Sequence, residues 1–349
     1  MMKRHSVWKL CFKLILAGIP LYLLMLYTFF FPMNYMAIEY SMWAEEKDYV
    51  NKENGAENLP TANTLILGDS RAKSGLRPKE LSGSVYNMAI GGATPIEMYY
   101  ALENYLENHP APENAVIIFA PYHFCDIDNW GQTLYYNYLT VPELLDVFKN
   151  AASFNDPVVL ADNFLTDSLS YRLRLPNKYL AAEYNAGFVN RKNDNLEKYN
   201  SVRRDGGYTV FGTAPGNDAG NYETHHEVFD KSPLVENYYY KLIGLCLEND
   251  IHVIIEQSPV NKASMALITE DFWDGYNQFL TDIETAYPSI VMEKEVIAYD
   301  NRYFGDNNHL NEDGAVIFTR EFKEKYKELF SAGSTEPSTE IPEDARISD

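Results

Sequence analysis

The sequence predicts an α/β protein: a three-layer α/β/α sandwich around a mainly parallel sheet of about five strands, preceded by one transmembrane helix. Three observations carry that prediction. Short, wholly apolar runs end at glycines or polar turns, as strands buried on both faces do. Segments with apolar residues at helical spacing alternate with them. An uncharged apolar stretch of membrane-spanning length stands near the N-terminus.

The 18 residues from Leu14 to Phe31 carry no charge, about the minimum that crosses a bilayer core as a helix. Lys3, Arg4, Lys9 and Lys13 precede them and Glu39, Glu45 and Glu46 follow. The positive-inside rule then keeps the N-terminus in the cytoplasm and puts the chain beyond residue 32 outside. No small-residue cleavage pattern follows Phe31, so the stretch reads as an uncleaved anchor, 1–32, in the lipid bilayer. Residues 33–62, polar from Glu45 onward (EEKDYVNKENGAENLPTA), read as a stalk.

The domain is expected over 63–330. Thr64 to Leu67 (TLIL) and Val85 to Ile90 (VYNMAI) are the first two strands, stopped by Gly68 and by Gly91-Gly92. Thr94-Pro95 supplies a cap and a first-turn proline for a helix with Met98, Ala101, Leu102, Tyr105 and Leu106 on one face. Ala115 to Ala120 (AVIIFA) is the third strand. Ser232-Pro233 opens a helix through Val235, Tyr239, Leu242 and Cys246, and Ile251 to Glu256 (IHVIIE) is the fourth strand, with His252 as a core histidine. A helix over 271–287, a fifth strand within Ile290 to Tyr299, and a helix over 312–330 complete the alternation, with strand order 2-1-3-4-5. The stretch 121–231 is too long for a bare loop and reads as a helical insertion, with part of 185–224 as an exposed lobe. The acidic Ser/Thr/Pro-containing tail, 331–349, has almost no apolar surface to bury and reads as disordered.

Of 349 residues 46% are hydrophobic and 23% charged, which excludes wholesale disorder and fibrous classes. The formal net charge is -21, and the first 31 residues hold four basic and no acidic side chains, so the rest carries -21 - 4 = -25. Nucleic acid is excluded as a partner on that balance. Cys11, Cys125 and Cys246 give neither a disulfide framework nor a zinc spacing; Cys125 and Cys246 can pair only if the fold brings them together. His225-His226-Glu227 lacks the second matched pair that a metal site needs, and no cofactor is expected.

Two segments stand where α/β sheets place their sites, at the carboxyl ends of strands. Leu67-Gly68-Asp69-Ser70-Arg71 presents a hydroxyl after the first strand; Asp306-Asn307-Asn308-His309 brings a carboxylate and an imidazole before the last helix. A serine needs a base, and that base needs a carboxylate to fix its tautomer, so Ser70, His309 and Asp306 make a triad in type. Gly91 and Gly92, with the Ser70 amide, can offer backbone N–H groups to an oxyanion. Asp69 reads as structural, and Arg71 as facing an anion or paired with a carboxylate.

GDS after the first strand, the glycine pair after the second and D-x-x-H-L-N before the last helix together resemble the SGNH, or GDSL-type, hydrolase superfamily over 64–330. The resemblance implies a flavodoxin-like fold and serine-dependent ester hydrolysis or acyl transfer, with Ser70 as nucleophile, Asp306 and His309 beside it, and Gly91 or Gly92 as oxyanion donor. The anchor makes the chain similar to SGNH-like partners of membrane-bound O-acyltransferases, the teichoic-acid D-alanyl transfer type among them. That implies an acylated cell-envelope glycan or polymer as substrate and a multi-pass O-acyltransferase as partner. The alternative is a non-catalytic docking module for that acyltransferase. One departure stands out: where the family carries an asparagine after the third strand, this chain reads Ala120-Pro121-Tyr122-His123, leaving Tyr122 or His123 to donate instead.

Overall fold

Along the first strand, β1 (Thr64–Gly68), successive side chains serve two different cores. Leu65 and Leu67 join one buried cluster and Ile66 the other, the period-two alternation of a strand covered on both faces. The computed structural model describes residues 4–331 apart from 82, 83, 128 and 162. In it, β2 (Val85–Asn87), β3 (Asn114–Ile118), β4 (His252–Ile255), β5 (Val260–Asn261), β6 (Val291–Met292) and β7 (Ala298–Tyr299) follow β1. Five of them form one sheet, ordered β2-β1-β3-β4-β6, with every pair parallel. Ala115 and Ile117 of β3 and Val253 and Ile255 of β4 repeat the division against Val116, Ile118 and Ile254.

The expected order of the core strands is therefore present, with the fifth strand shorter than expected. The run 290–299 splits: Val291–Met292 pairs with β4, and Ala298–Tyr299 pairs with Val260–Asn261 in a separate two-stranded sheet. The Glu293 carboxylate accepts the amides of Lys294 and Glu295, both at 2.8 Å, and this local bonding turns the chain out of the main sheet. His252, expected in the core, is exposed. It is the first residue of its strand, before the buried Val253–Ile255 run.

Helices Pro95–Asn108, Pro233–Glu248 and Glu270–Ala286 contribute to the larger cluster. The first starts on a capping box, Thr94 accepting from Ile96 and Glu97 reaching back to the Thr94 amide. Ser70–Gly75 and Glu312–Lys325 cover the other face.

Two expectations for the outer segments are corrected. The stalk is part of the domain: Glu39–Asn51 is a helix whose Trp43, Tyr49 and Val50 are buried, with Glu45 and Glu46 wholly inside. Tyr49 stacks on Tyr86 with ring centroids 3.5 Å apart, and the His109 ring bonds the Tyr49 carbonyl at 2.9 Å. Its charges are paired from afar, Glu45 with Arg203 at 3.2 Å and with the Tyr86 hydroxyl at 2.6 Å. The insertion is helical, through Trp130–Tyr135, Val141–Phe154, Phe164–Arg172, Pro176–Ala186 and Lys192–Arg204, but 185–224 is no detached lobe. Its last helix packs on Glu39–Asn51, and the coil after it runs against Asn87 and Gly305, where a Cβ on Gly207 or Gly212 would meet their backbone. Cys125 and Cys246 are both free thiols, and the acidic tail expected to be disordered, 331–349, lies beyond Ser331 outside the described residues.

The N-terminal helix, Arg4–Phe30, contains Val7–Phe30, long and apolar enough to cross a membrane. Its end is locked to the domain. Thr28 donates to Glu183 at 2.6 Å, the Tyr35 hydroxyl donates to the Thr28 carbonyl at 2.6 Å, and Asn195 donates to the carbonyls of Met33 and Met36 at 2.8 and 3.0 Å.

Candidate active site

Gly68 ends β1 with φ +148°, and a Cβ there would lie 1.8 Å from the Ile118 carbonyl oxygen, so only glycine lets β1 turn against β3. Asp69 then caps the Ser70–Gly75 helix, accepting from the Arg71 amide at 2.8 Å and from the Ala120 amide at 2.7 Å. Its carboxylate thereby welds the serine turn to the end of β3, the structural role expected of it. Ser70 sits at the first helical position, 9% exposed.

The partner loop comes from the far end of the chain. Asp306 Oδ1 accepts the amides of Asn308 and His309 at 2.8 and 2.7 Å, and the His309 ring bonds both carboxylate oxygens through Nδ1 at 2.8 and 2.9 Å. Burial works against charge on Asp306, but the His309 ring and these two amides outweigh it and hold the carboxyl below its ordinary range. An ionised Asp306 can only accept, so Nδ1 carries the proton and Nε2 is left as acceptor. Nε2 lies 2.7 Å from Ser70 Oγ. The three residues singled out from sequence, 239 positions apart at the widest, thus form one hydrogen-bonded chain.

Gly91 and Gly92 lie on the turn beside Ser70. A Cβ on Gly91 would fall 3.9 Å from Ser70 Cβ, and Gly92 turns with φ +78°. Among the described residues none accepts a hydrogen bond from the amides of Ser70, Gly91 or Gly92. Tyr122 and His123 follow the third strand beside the serine turn. His123 is fully buried with Nε2 3.5 Å from Asp69 Oδ2, and the Tyr122 ring packs between Arg71 and Tyr222.

Three neighbours escaped the sequence reading. Asn129 covers the glycine turn: a Cβ on Gly92 would fall 2.7 Å from its Nδ2. An asparagine within about ten residues of the third strand was the available signal. Phe211 stacks its ring 5.0 Å from that of His309; a lone phenylalanine in the glycine-rich run GGYTVFGTAPG marked it. The backbone beside it passes so close to the Asp306–His309 loop that a Cβ on Gly305 would lie 2.1 Å from Gly212. Glu223 takes the Arg71 guanidinium at 2.6 Å, and Asn308 accepts from the same nitrogen at 2.9 Å. Arg71 is therefore carboxylate-paired, and the pair ties the insertion to the His309 loop. His226, from the H-H-E run, lies 3.1 Å from Asp126.

The arrangement can generate a serine nucleophile beside backbone donors, the requirements of acyl transfer. No protein-family model and no curated protein matches the chain.

Proposed function

We propose that the chain is a membrane-anchored, extracytoplasmic SGNH-type serine enzyme that moves or removes acyl groups on a cell-envelope glycan or polymer. The observation that carries the reading is the unbroken Asp306–His309–Ser70 hydrogen-bond chain, with Nε2 at 2.7 Å from Oγ. Ser70 Oγ attacks the ester carbonyl while its proton passes to His309 Nε2. The tetrahedral oxyanion faces the amides of Ser70 and Gly91 or Gly92, with the Asn129 carboxamide as a further donor. His309 returns the proton to the departing alcohol, leaving an acyl-serine. Water or an acceptor hydroxyl, deprotonated by His309, then breaks that ester and restores Ser70. Anchoring through the Val7–Phe30 helix and the basic residues before it support the external placement.

The test is fluorophosphonate labelling of the full chain in detergent, compared with Ser70→Ala and His309→Ala. Labelling of the wild type alone is the expected result. A folded wild type that does not label overturns the enzyme reading and leaves a docking role beside a membrane acyltransferase.

A further inference from the structure

Where the apolar helix meets the domain, a pocket of about 330 Å³ opens, lined by Phe29 of that helix and by Tyr40, Trp43, Lys47, Arg172 and Arg174 among others. Its three cations have only neutral partners. Lys47 donates to the carbonyls of Asn137 and Tyr138 at 2.9 and 2.8 Å, Arg172 to the Leu139 carbonyl, and Arg174 to the Tyr40 hydroxyl at 3.4 Å. Among the described residues none of the three forms an ion pair. Arg172 Nε and Arg174 Nη1 are buried without a hydrogen-bond partner among those residues. The nearby carboxylates are spoken for, Glu143 by Asn104 and the Thr140 amide, Glu46 by the Tyr138 hydroxyl. Burial first, then the Arg172 charge, pushes the Lys47 amine down. In a chain of net charge -21, three crowded cations, near Glu143 but in no ion pair with it among the described residues, and with two buried guanidinium nitrogens left unbonded, form a site that an anion would relieve.

The surroundings say where the anion would come from. Leu165, Leu169 and Leu173 follow one another at helical spacing and are 66, 60 and 47% exposed; Leu180 and Tyr184 on the next helix are 48 and 77% exposed. The second of these helices, with Phe188 just after it, meets the membrane-length helix, through Tyr27 and Phe188 at 6.3 Å and the Thr28–Glu183 bond. Leucines beside an aromatic and cationic pocket at the end of a spanning helix match the layering of a bilayer surface.

We propose that this pocket binds the phosphodiester headgroup of an anionic membrane lipid, with Lys47, Arg172 and Arg174 as its counter-charge and the Leu165–Leu169–Leu173 face seated in the adjoining lipid. The inference rests on the membrane placement of the N-terminal helix and is independent of the chemistry at Ser70.

The experiment uses the full chain in neutral maltoside micelles, titrated calorimetrically with dihexanoyl-phosphatidylglycerol, dihexanoyl-phosphatidylcholine and inorganic phosphate. The glycerol lipid should bind at least tenfold more tightly than either of the others, and the R172Q/R174Q variant should lose that margin. Equal affinity for the two lipids, or an unaltered double variant, overturns the proposal; inorganic phosphate binding as tightly as the lipid replaces it with a soluble-anion site. Should the glutamine variant not fold, R172K/R174K, which keeps the charge and should keep the lipid preference, decides together with the wild-type comparison. Alkaline carbonate extraction of vesicles carrying the chain tests the anchor separately. Release overturns the membrane placement, whereas retention without headgroup preference overturns only the pocket.

Discussion

Ser70 and Lys73 lie one turn apart on the same six-residue helix, yet they belong to regions built on opposite terms. Ser70 looks toward a partly open loop in which His309 and Asp306 are 15 and 37% exposed, each held by bonds from its own short segment. Lys73 is wholly buried, its amine 3.3 Å from the Asn87 carbonyl, and burial pushes it down to about 8 despite Glu45 and Glu46 nearby. Around it, Glu45, Glu46, Arg203, Tyr86, Tyr138 and Tyr199 come from separate parts of the chain and bond one another away from water. The first region is partly open, with Asp306 and His309 held within one short loop; the second is closed to water and draws its order from across the fold. Changes in the first should therefore cost activity and spare stability, and changes in the second should do the reverse.

The largest expected effect is at Ser70. Ser70→Ala should lower kcat on an activated ester by roughly 10⁶-fold with the melting temperature unchanged, since nucleophile and base act as one unit. Residual activity within tenfold of wild type would break the contrast at its first point. Asp306→Asn should cost about 10⁴-fold, because an amide in place of the ionised carboxylate favours the wrong histidine tautomer; pre-steady-state kinetics would locate the loss in the acylation step.

On the buried side, Glu45→Ala removes the carboxylate that pairs with Arg203 and accepts from Tyr86. Denaturant unfolding should show about 3–5 kcal/mol less stability, with labelling of Ser70 intact in the molecules that remain folded. Asn129→Ala returns to the open face. As an oxyanion donor it should lower kcat by roughly 10²–10³-fold with KM little altered; a change in KM alone would make it a binding contact.

The smallest effect sharpens the comparison through pH. Burial pushes Glu46 up to about 8, although the Tyr138 hydroxyl donates to it. A folded-state pKa above the unfolded value means that its stabilising contribution is full below the ordinary carboxylate range and lost as pH rises through about 8. Glu46→Gln should flatten the fall in melting temperature across that window, by at most the slope of one proton, about 1.4 kcal/mol per pH unit. An unchanged profile would mean that Glu46 is ionised in the fold.

The same contrast decides what could be read from the sequence. The strands from Leu65, Ala115 and Val253 were legible because a strand buried on both faces must be apolar throughout, and Ser70, Asp306 and His309 because each stands beside a strand end with its spacing intact. The stalk was not. Glu45, Glu46, Lys47 and Asp48 look like a solvated run, and the partners about 150 residues away, Arg203 for Glu45 and Tyr199 for the half-buried Asp48, are not visible from the run itself. The splitting of 290–299 depends on where Glu293 turns its carboxylate, which apolar content does not reveal. Asn129 and Phe211 reach the site by the path of the insertion, and no local pattern encodes that path.

The seam between Thr28, Tyr35, Glu183 and Asn195 bonds the end of the apolar helix directly to the domain. On the proposed membrane placement, the catalytic edge would then stand at one height and one tilt above the lipid, like a tool bolted to a bench. On the proposed function, reach would come from the polymer, whose acylated units would travel to Ser70, and lengthening the junction by a flexible spacer should change which units are processed before it changes how fast.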